Sequence, residues 1–459
     1  MLMIARVVDV FAGLISLGLV VNRYRGRQVR VVPGDIMLWT LSIFFIAPLF
    51  LDAMQFVTSY QLFPEFGVAA KDPLVSVIAA TAVVIAVWIV TRAVRLSAVT
   101  APSLRSNLRL SARVRSFWLV LTLAPLVAVA ASPDPGIYRT FAASFSLRSV
   151  GQPFDSHELI ATPLTLFQPY VTGATYVSAV ALGMWLYTRK SWRAFLIVPP
   201  VTLLDFWLEG KRNILALIAI LVLFVLVSSK GALSRKKARH AMVMAAVLFG
   251  GVFAVSQAFQ SHYRAVVISN NRSHEVLKVD FGRTDVLRLA IAGQISPGVP
   301  RPLEYPGQSL VLDAEQVLDR LTHHKPISYE DRVQSITQDE PLQITKGKVT
   351  TSILSEAIDN FGLLGILVGP WILALIVRAG GRRVDPLLSL LICLFGSLII
   401  VTNVVAASPI VVLVVLRGVW VFIKGGRTIG ARLNSYPSEA PSTIDDQREV
   451  VGSTPFPHI

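Results

Sequence analysis

Long apolar runs recur along this chain and leave it little choice of fold. A helix that crosses a bilayer needs about 20 mostly apolar residues. Eleven intervals approach that pattern: 3–21, 34–54, 73–94, 117–133, 164–187, 194–209, 212–229, 240–260, 357–377, 386–403 and 406–423. Only 15% of residues are charged and 53% are hydrophobic, whereas a soluble domain carries about a quarter charged residues. The expectation is an all-α polytopic membrane protein with about eleven transmembrane helices. The net charge of +15 does not signal nucleic acid, because the Lys and Arg residues cluster beside apolar runs. A single cysteine, Cys393, excludes an intrachain disulfide and a Cys-based metal site. The N-terminal apolar stretch has no small-residue cleavage site after it and reads as a retained span.

Charge orients the spans. The segments 22–30, 92–116, 188–193, 230–240 and 378–385 carry four, six, three, five and three basic residues, and the tail opens with Lys424, Arg427 and Arg432. These are alternate connections, so eleven spans put all six on one side. The positive-inside bias makes that side cytoplasmic, with the N-terminus outside and the C-terminus inside. The chain then divides into spans 1–8 (1–260), a large extracytoplasmic loop (261–356), spans 9–11 (357–423) and a polar, disordered cytoplasmic tail (424–459).

The large loop is nearly neutral, with eleven Lys/Arg against eleven Asp/Glu over 261–350. Loops of that length are usually functional. Short amphipathic helices are expected in it. One runs from Thr284 as N-cap to Gly293, and another starts at Asp313 with Val317, Leu318 and Leu321 on one face. Both are short enough to lie at the membrane surface or cap a cavity, and packing of their apolar faces on the helix ends is the favoured reading.

Three groups of residues suit chemistry. The turn Glu209-Gly210-Lys211-Arg212-Asn213 joins two short spans on the outer side, where the other short connections avoid basic residues. A Glu209–Arg212 ion pair closing a helical hairpin and a phosphate site are equal readings, since Arg offers phosphate a bidentate fork. The long loop opens with His262, Arg264 and Arg272, followed by Arg283, Asp285 and Arg288; several Arg beside a membrane surface suit a phosphorylated lipid. Glu356, Asp359 and Asn360 lie at the entrance of the ninth span, with Glu356 and Asn360 on one face. Helix capping is the favoured reading there, and a base acting on a sugar hydroxyl is the functional one. Walker A, GxGxxG and HExxH sequences are absent, and His323–His324 lacks further ligands at metal spacing.

With "EGKRN" (209–213), "YR" (263–264), "RTD" (283–285), "YPGQS" (305–309), "HKP" (324–326) and "TTSILSEAIDNFGLLG" (350–365), the chain resembles bacterial oligosaccharide repeat-unit polymerases, the Wzy-type O-antigen and capsule polymerases. The likeness covers roughly 200 to 380; the turn departs from the family in having Asn213 where a Gly often follows the Arg. The resemblance implies glycosyl transfer without metal or cofactor at the outer face of the plasma membrane. The substrate would be an undecaprenyl-pyrophosphate-linked glycan, and the partners the lipid bilayer, a chain-length regulator and a flippase. It further implies that Arg212, Arg264 and Arg288 bind pyrophosphate and stabilise the leaving group. Glu356 would be the base with Asp285 behind it, and Lys211, His262, Arg272, Arg283, Lys325 and Asn360 would contact substrate. An O-antigen-ligase-like enzyme would depend instead on a loop histidine such as His262. A multi-span lipid-phosphate-sugar transferase would want paired acids in the first outer loop, which offers only Glu65 and Asp72. A transporter would want charged residues within several spans, and few are evident beyond Asp205.

Overall fold

A computed structural model describes residues 2–25, 31–53, 72–100, 112–130, 168–189, 192–209, 212–228, 283–322, 327–338, 351–383, 385–402 and 407–433. It is 89% helix, with no strand among the described residues. The described part of the chain is therefore nearly all helical, with helices suited to a membrane. Four stretches are long and apolar enough to cross one: Met3–Tyr24, Asp35–Ala53, Pro73–Ala98 and Ile353–Gly381. Shorter apolar helices occupy Val114–Val127, Arg193–Thr202, Leu217–Ser228, Pro386–Val401 and Ser408–Phe422. The expected span at 240–260 lies outside the described residues.

In chain order the helices are α1 (Leu2–Tyr24), α2 (Asp35–Leu41) continuing through a π-helical turn at Ser42–Ile46 into α3 (Ala47–Ala53), and α4 (Pro73–Thr100). Then come α5 (Ala112–Ala130), α6 (Gln168–Arg189), a 3-10 turn leading into α7 (Val198–Glu209), and α8 (Arg212–Ser228). The loop helices are α9 (Arg283–Ile295), α10 (Gln308–Thr322) and α11 (Tyr329–Gln338). Last are α12 (Ile353–Phe361), α13 (Gly365–Gly381), α14 (Pro386–Val401) and α15 (Ser408–Leu433). Two compact units result, Met1–Val415 and Leu416–Ile459. In the second, Arg417 stacks 4.3 Å from the ring centroid of Trp420. The helix α15 runs to Leu433, so the tail expected to be disordered from 424 is helical for its first ten residues.

Helix α1 shows why such sequences suit lipid. Its polar residues Asp9, Ser16 and Arg23, seven apart, are buried, while Ile4, Val7, Phe11, Leu14 and Val21 are exposed. That is an inside-out helix, the pattern expected where the surroundings are hydrocarbon and ionisable groups turn to the bundle interior. At one end of the bundle Arg23 pairs with Asp35 at 3.2 Å, Tyr24 donates to Asp35 at 2.9 Å, and Ser97 donates to the Val377 carbonyl. At the other end Asp52, Asp72 and Val401 meet α9 and the turn after it. Successive helices thus alternate in direction: α1, α4 and α13 run one way, α2–α3 and α14 the other.

Three loop expectations are corrected. Helix α9 begins at Arg283, so Thr284 lies within the helix, and every residue from Arg283 to Gly293 is buried. It packs as expected, but as a wedge buried on every side rather than on one apolar face. Leu287, Ala290 and Ile291 join the main core, whereas Val286 and Leu289 pack with Leu303, Leu312, Tyr329 and Val333 in a small separate core. Helix α10 begins at Gln308, five residues before the expected start. Its Leu318 is 61% exposed, so the residue expected to pack inward faces out.

The ninth span is not one helix. A Cβ added at Gly369 would lie 3.3 Å from the Ile353 carbonyl oxygen; in a continuous helix those residues would be about 24 Å apart. A Cβ at Gly365 would run into the Ala357 backbone. The chain folds back at Gly362, whose φ of 62° is a left-handed backbone conformation. Helix α12 therefore lies antiparallel on the Gly365-Ile366-Leu367-Val368-Gly369 face of α13, a small-xxx-small contact.

Candidate functional site

Two buried polar constellations meet where α9 packs on α12. The first is built on α9. Arg283 is fully buried. Its Nε and Nη2 donate to the Val401 carbonyl at 3.1 and 2.8 Å, and its guanidinium lies 4.4 Å from the Phe44 ring centroid, within the π-helical turn. It thereby caps an otherwise unsatisfied carbonyl at the C-terminus of α14. Arg288 pairs with Asp52 at 2.7 Å, Asp9 at 3.0 Å and Asp285 at 3.1 Å. Asp285 thus acts as a partner one turn from Arg288, and Thr284 adds a 3.4 Å hydrogen bond to Asp52.

The second constellation is built on α12 and α10. Ser352 caps α12 and forms a reciprocal capping box with Ser355. One turn on, Glu356 accepts a hydrogen bond of 2.6 Å from the Ser309 hydroxyl. That hydroxyl in turn accepts from the Asn360 amide at 2.6 Å, and the same amide donates to the Glu356 carbonyl at 2.8 Å. Glu356, Ser309 and Asn360 are all buried. Tyr329 donates to Asp359, whose other carboxylate oxygen has no hydrogen-bond partner. Burial raises the Tyr329 phenol well above its ordinary value, and the Asp359 charge adds to that. Asp313, one turn after Ser309 on α10, is buried with Oδ2 unpartnered. Desolvation, then Glu356 and Glu330, pushes its carboxyl up to about 8.

Glu356 and Asn360 share a face as their spacing predicts, and they stand inside the protein near α9. Of the expected α9 residues, Arg283 and Arg288 are engaged with a carbonyl and with carboxylates. A guanidinium facing three carboxylates has little field left to attract phosphate. Helix α7 ends at Glu209 and α8 begins at Arg212; the turn residues between them and the Arg212 side chain lie outside the described residues. Lys211, His262, Arg264, Arg272 and Lys325 also lie outside them.

Sequence reading missed Asp9, Asp52, Asp35, Ser309, Asp313 and Tyr329. Asp9 had a signal, a lone acid in "ARVVDVFAG" within an apolar span. Ser309 stood only as the last residue of "YPGQS", and its pairing with a residue 47 positions away had no local signal.

Chemically, the α10–α12 site joins a hydroxyl and a carboxylate in a dry setting, where a carboxylate acts as a stronger proton acceptor than in water. No protein-family model, curated protein or solved structure matches the chain.

Proposed function

We propose that the chain polymerises undecaprenyl-pyrophosphate-linked repeat units by glycosyl transfer at the outer face of the bacterial plasma membrane. In this reading the N-terminus is outside and the C-terminus cytoplasmic, and the loop helices α9–α12 form the extracytoplasmic active region. Glu356 takes the proton of the acceptor sugar hydroxyl, and Ser309 and Asn360 hold its carboxylate in place. Arg212, Arg264 and Arg272 supply the charge for pyrophosphate, since Arg283 and Arg288 are engaged within the fold. Lys211, His262 and Lys325 remain candidate substrate contacts.

One observation carries this reading. The inward residues Ser309, Asp313, Glu356 and Asn360 are polar and buried, whereas Leu310, Val311, Leu318 and Phe361 on the same helices are 44–61% exposed. A polar interior behind an apolar rim fits a substrate with a polar head and a long apolar tail.

A transporter of lipid-linked sugars is the second reading, favoured by Asp9 and Asp35, buried, and Asp52, half-buried, all acids within the first two spans. Deleting the gene separates the two. Loss of a polymerase leaves single repeat units exported and attached to the final acceptor. Loss of a transporter leaves lipid-linked units trapped at the cytoplasmic face, and that outcome would overturn the polymerase.

A further inference from the structure

The Ser309 hydroxyl stands where a substrate hydroxyl would stand if Glu356 acts as a base. It donates to the Glu356 carboxylate at 2.6 Å and accepts from the Asn360 amide at 2.6 Å, and the Ser309 backbone N–H donates to Asn360 Oδ1 at 3.4 Å. A base that takes a proton from an alcohol needs that alcohol within hydrogen-bond reach. Glu356 supplies the acceptor, Asn360 one turn further on α12 fixes the oxygen, and α10 fills the position with its own side chain.

Helix α10 is held in a way that lets it leave. It starts just after Gly307, whose φ of 83° is left-handed and where an added Cβ would meet open space, so the hinge is unobstructed. Its outer face exposes Leu310, Val311 and Leu318. Its inner face rests on Ser309 and on Leu312, which belongs to the small separate core. Closure also leaves polar atoms buried without a hydrogen-bond partner: Asp313 Oδ2 and Gln316 Nε2 on α10, and Asp359 Oδ1 on α12. Each orphan costs about as much as the bond it forgoes. Together they offset part of what the Ser309 contacts contribute and narrow the gap between closed and open forms.

We propose that the space between the Glu356 carboxylate and the Asn360 amide is a binding subsite for a sugar hydroxyl, covered by α10, whose Ser309 hydroxyl occupies it as an internal stand-in. The inference rests on the reading of Glu356 as base, and adds where the acceptor binds and what must move first. Entry of substrate exchanges the Ser309 hydroxyl for its own. Asp359, 8% exposed, then offers its open Oδ1 to a neighbouring hydroxyl, while Tyr329 holds the other oxygen. The ligand is a hydroxyl-bearing, uncharged sugar face. A sugar carboxylate in its place would set acceptor against acceptor.

The test follows the reaction of the Asp313→Cys thiol with a charged methanethiosulfonate, in the full chain in nanodiscs with Cys393→Ala. Asp313 is 8% exposed on the inner face of α10, so the labelling rate at that position reads the open population. Asp313→Cys should label slowly. Adding Ser309→Ala should raise the rate about tenfold, the weight of one hydrogen bond to a charged group. Leu318→Cys, on the outer face, should label equally fast with and without Ser309→Ala. A rate at position 313 that Ser309→Ala leaves unchanged would overturn the cover. So would an equal gain at Cys393 in the chain that keeps it, where 1% exposure makes labelling a sign of general unfolding. Lipid-linked repeat units extracted from bacterial membranes should also speed labelling of Asp313→Cys, because a hydroxyl in the subsite excludes Ser309, and undecaprenyl pyrophosphate alone should not. No effect of the repeat units, or an equal effect of the bare carrier, would overturn the sugar subsite. The polymerase reading is scored separately, in the deletion strain. Polymer that survives deletion removes that reading, and the labelling rates still decide the subsite and its cover.

Discussion

The Ser309 hydroxyl donates to the Glu356 carboxylate across 2.6 Å, joining two loop helices whose residues stand 47 positions apart. That bond fixes α10 against α12 and holds a buried carboxylate in one orientation. Ser309→Ala removes the donor and leaves Glu356 and the Asn360 amide each short of a partner. The expected loss of stability is about 1–3 kcal/mol, read from the thermal midpoint of the purified protein. An unchanged midpoint would mean that water replaces the hydroxyl and that the helices are held by other contacts.

Arg288 compensates three carboxylates, so its removal exposes them to one another. Arg288→Ala should cost about 3–5 kcal/mol and reduce the amount of folded protein recovered from membranes. A double variant, Arg288→Met with Asp52→Leu, should recover part of that loss, because an apolar replacement of a buried pair is often tolerated. Failure of any recovery would show that the charges act on something other than each other.

The hairpin between α12 and α13 depends on Gly365, where a side chain meets the backbone of Ala357 rather than a movable side-chain tip. Gly365→Val should therefore destabilise the protein by more than about 2 kcal/mol. Gly362→Ala, which meets only a distant glutamine oxygen but forces a left-handed alanine, should cost roughly 1–2 kcal/mol. Equal tolerance at both sites would argue for a straight helix through 353–381.

Asp313 keeps its proton up to about pH 8, because burial disfavours its charged form and Glu356 and Glu330 disfavour it further. The protonated form is present below that value and lost above it. If the reaction uses Asp313 as a proton donor, polymerisation declines as pH rises through about 8 and is low at all pH in Asp313→Asn. If Asp313 is only a neutral neighbour of Glu356, Asp313→Asn retains activity and loses the alkaline decline. An alkaline decline that persists in Asp313→Asn would assign it to another group.

The helices were legible in the sequence because apolar length is a local property: nine of the eleven expected intervals fall on described helical stretches, 357–377 is broken at Gly362 and 240–260 lies outside the described residues, while four described stretches are long and apolar enough to cross a membrane. Fold-back at "NFGLLG" was not legible, because an apolar run reads the same whether it continues or doubles back. Only the contact between Gly369 and Ile353 distinguishes the two. Helix α9 was located to within two residues and expected to pack, but its burial on every side was not legible. Its apolar residues surround the axis, which signals burial on all sides, and the polar residues between them concealed that signal until Asp9, Asp52 and Val401 supplied partners. The site was half legible. Glu356 and Asn360 follow from helical spacing, whereas Ser309 and Asp313 depend on a pairing of helices that no local pattern encodes.

The assignment of Glu356 as base is tested most directly by glycan length in cells that carry Glu356→Gln in place of the wild-type gene, at matched protein level in the membrane. Gln keeps the size of the side chain and the contact with Ser309 and removes the proton acceptor. The expected result is a loss of polymer of roughly 100-fold or more, with single repeat units on the final acceptor. Polymer of normal length and amount from Glu356→Gln would contradict the account.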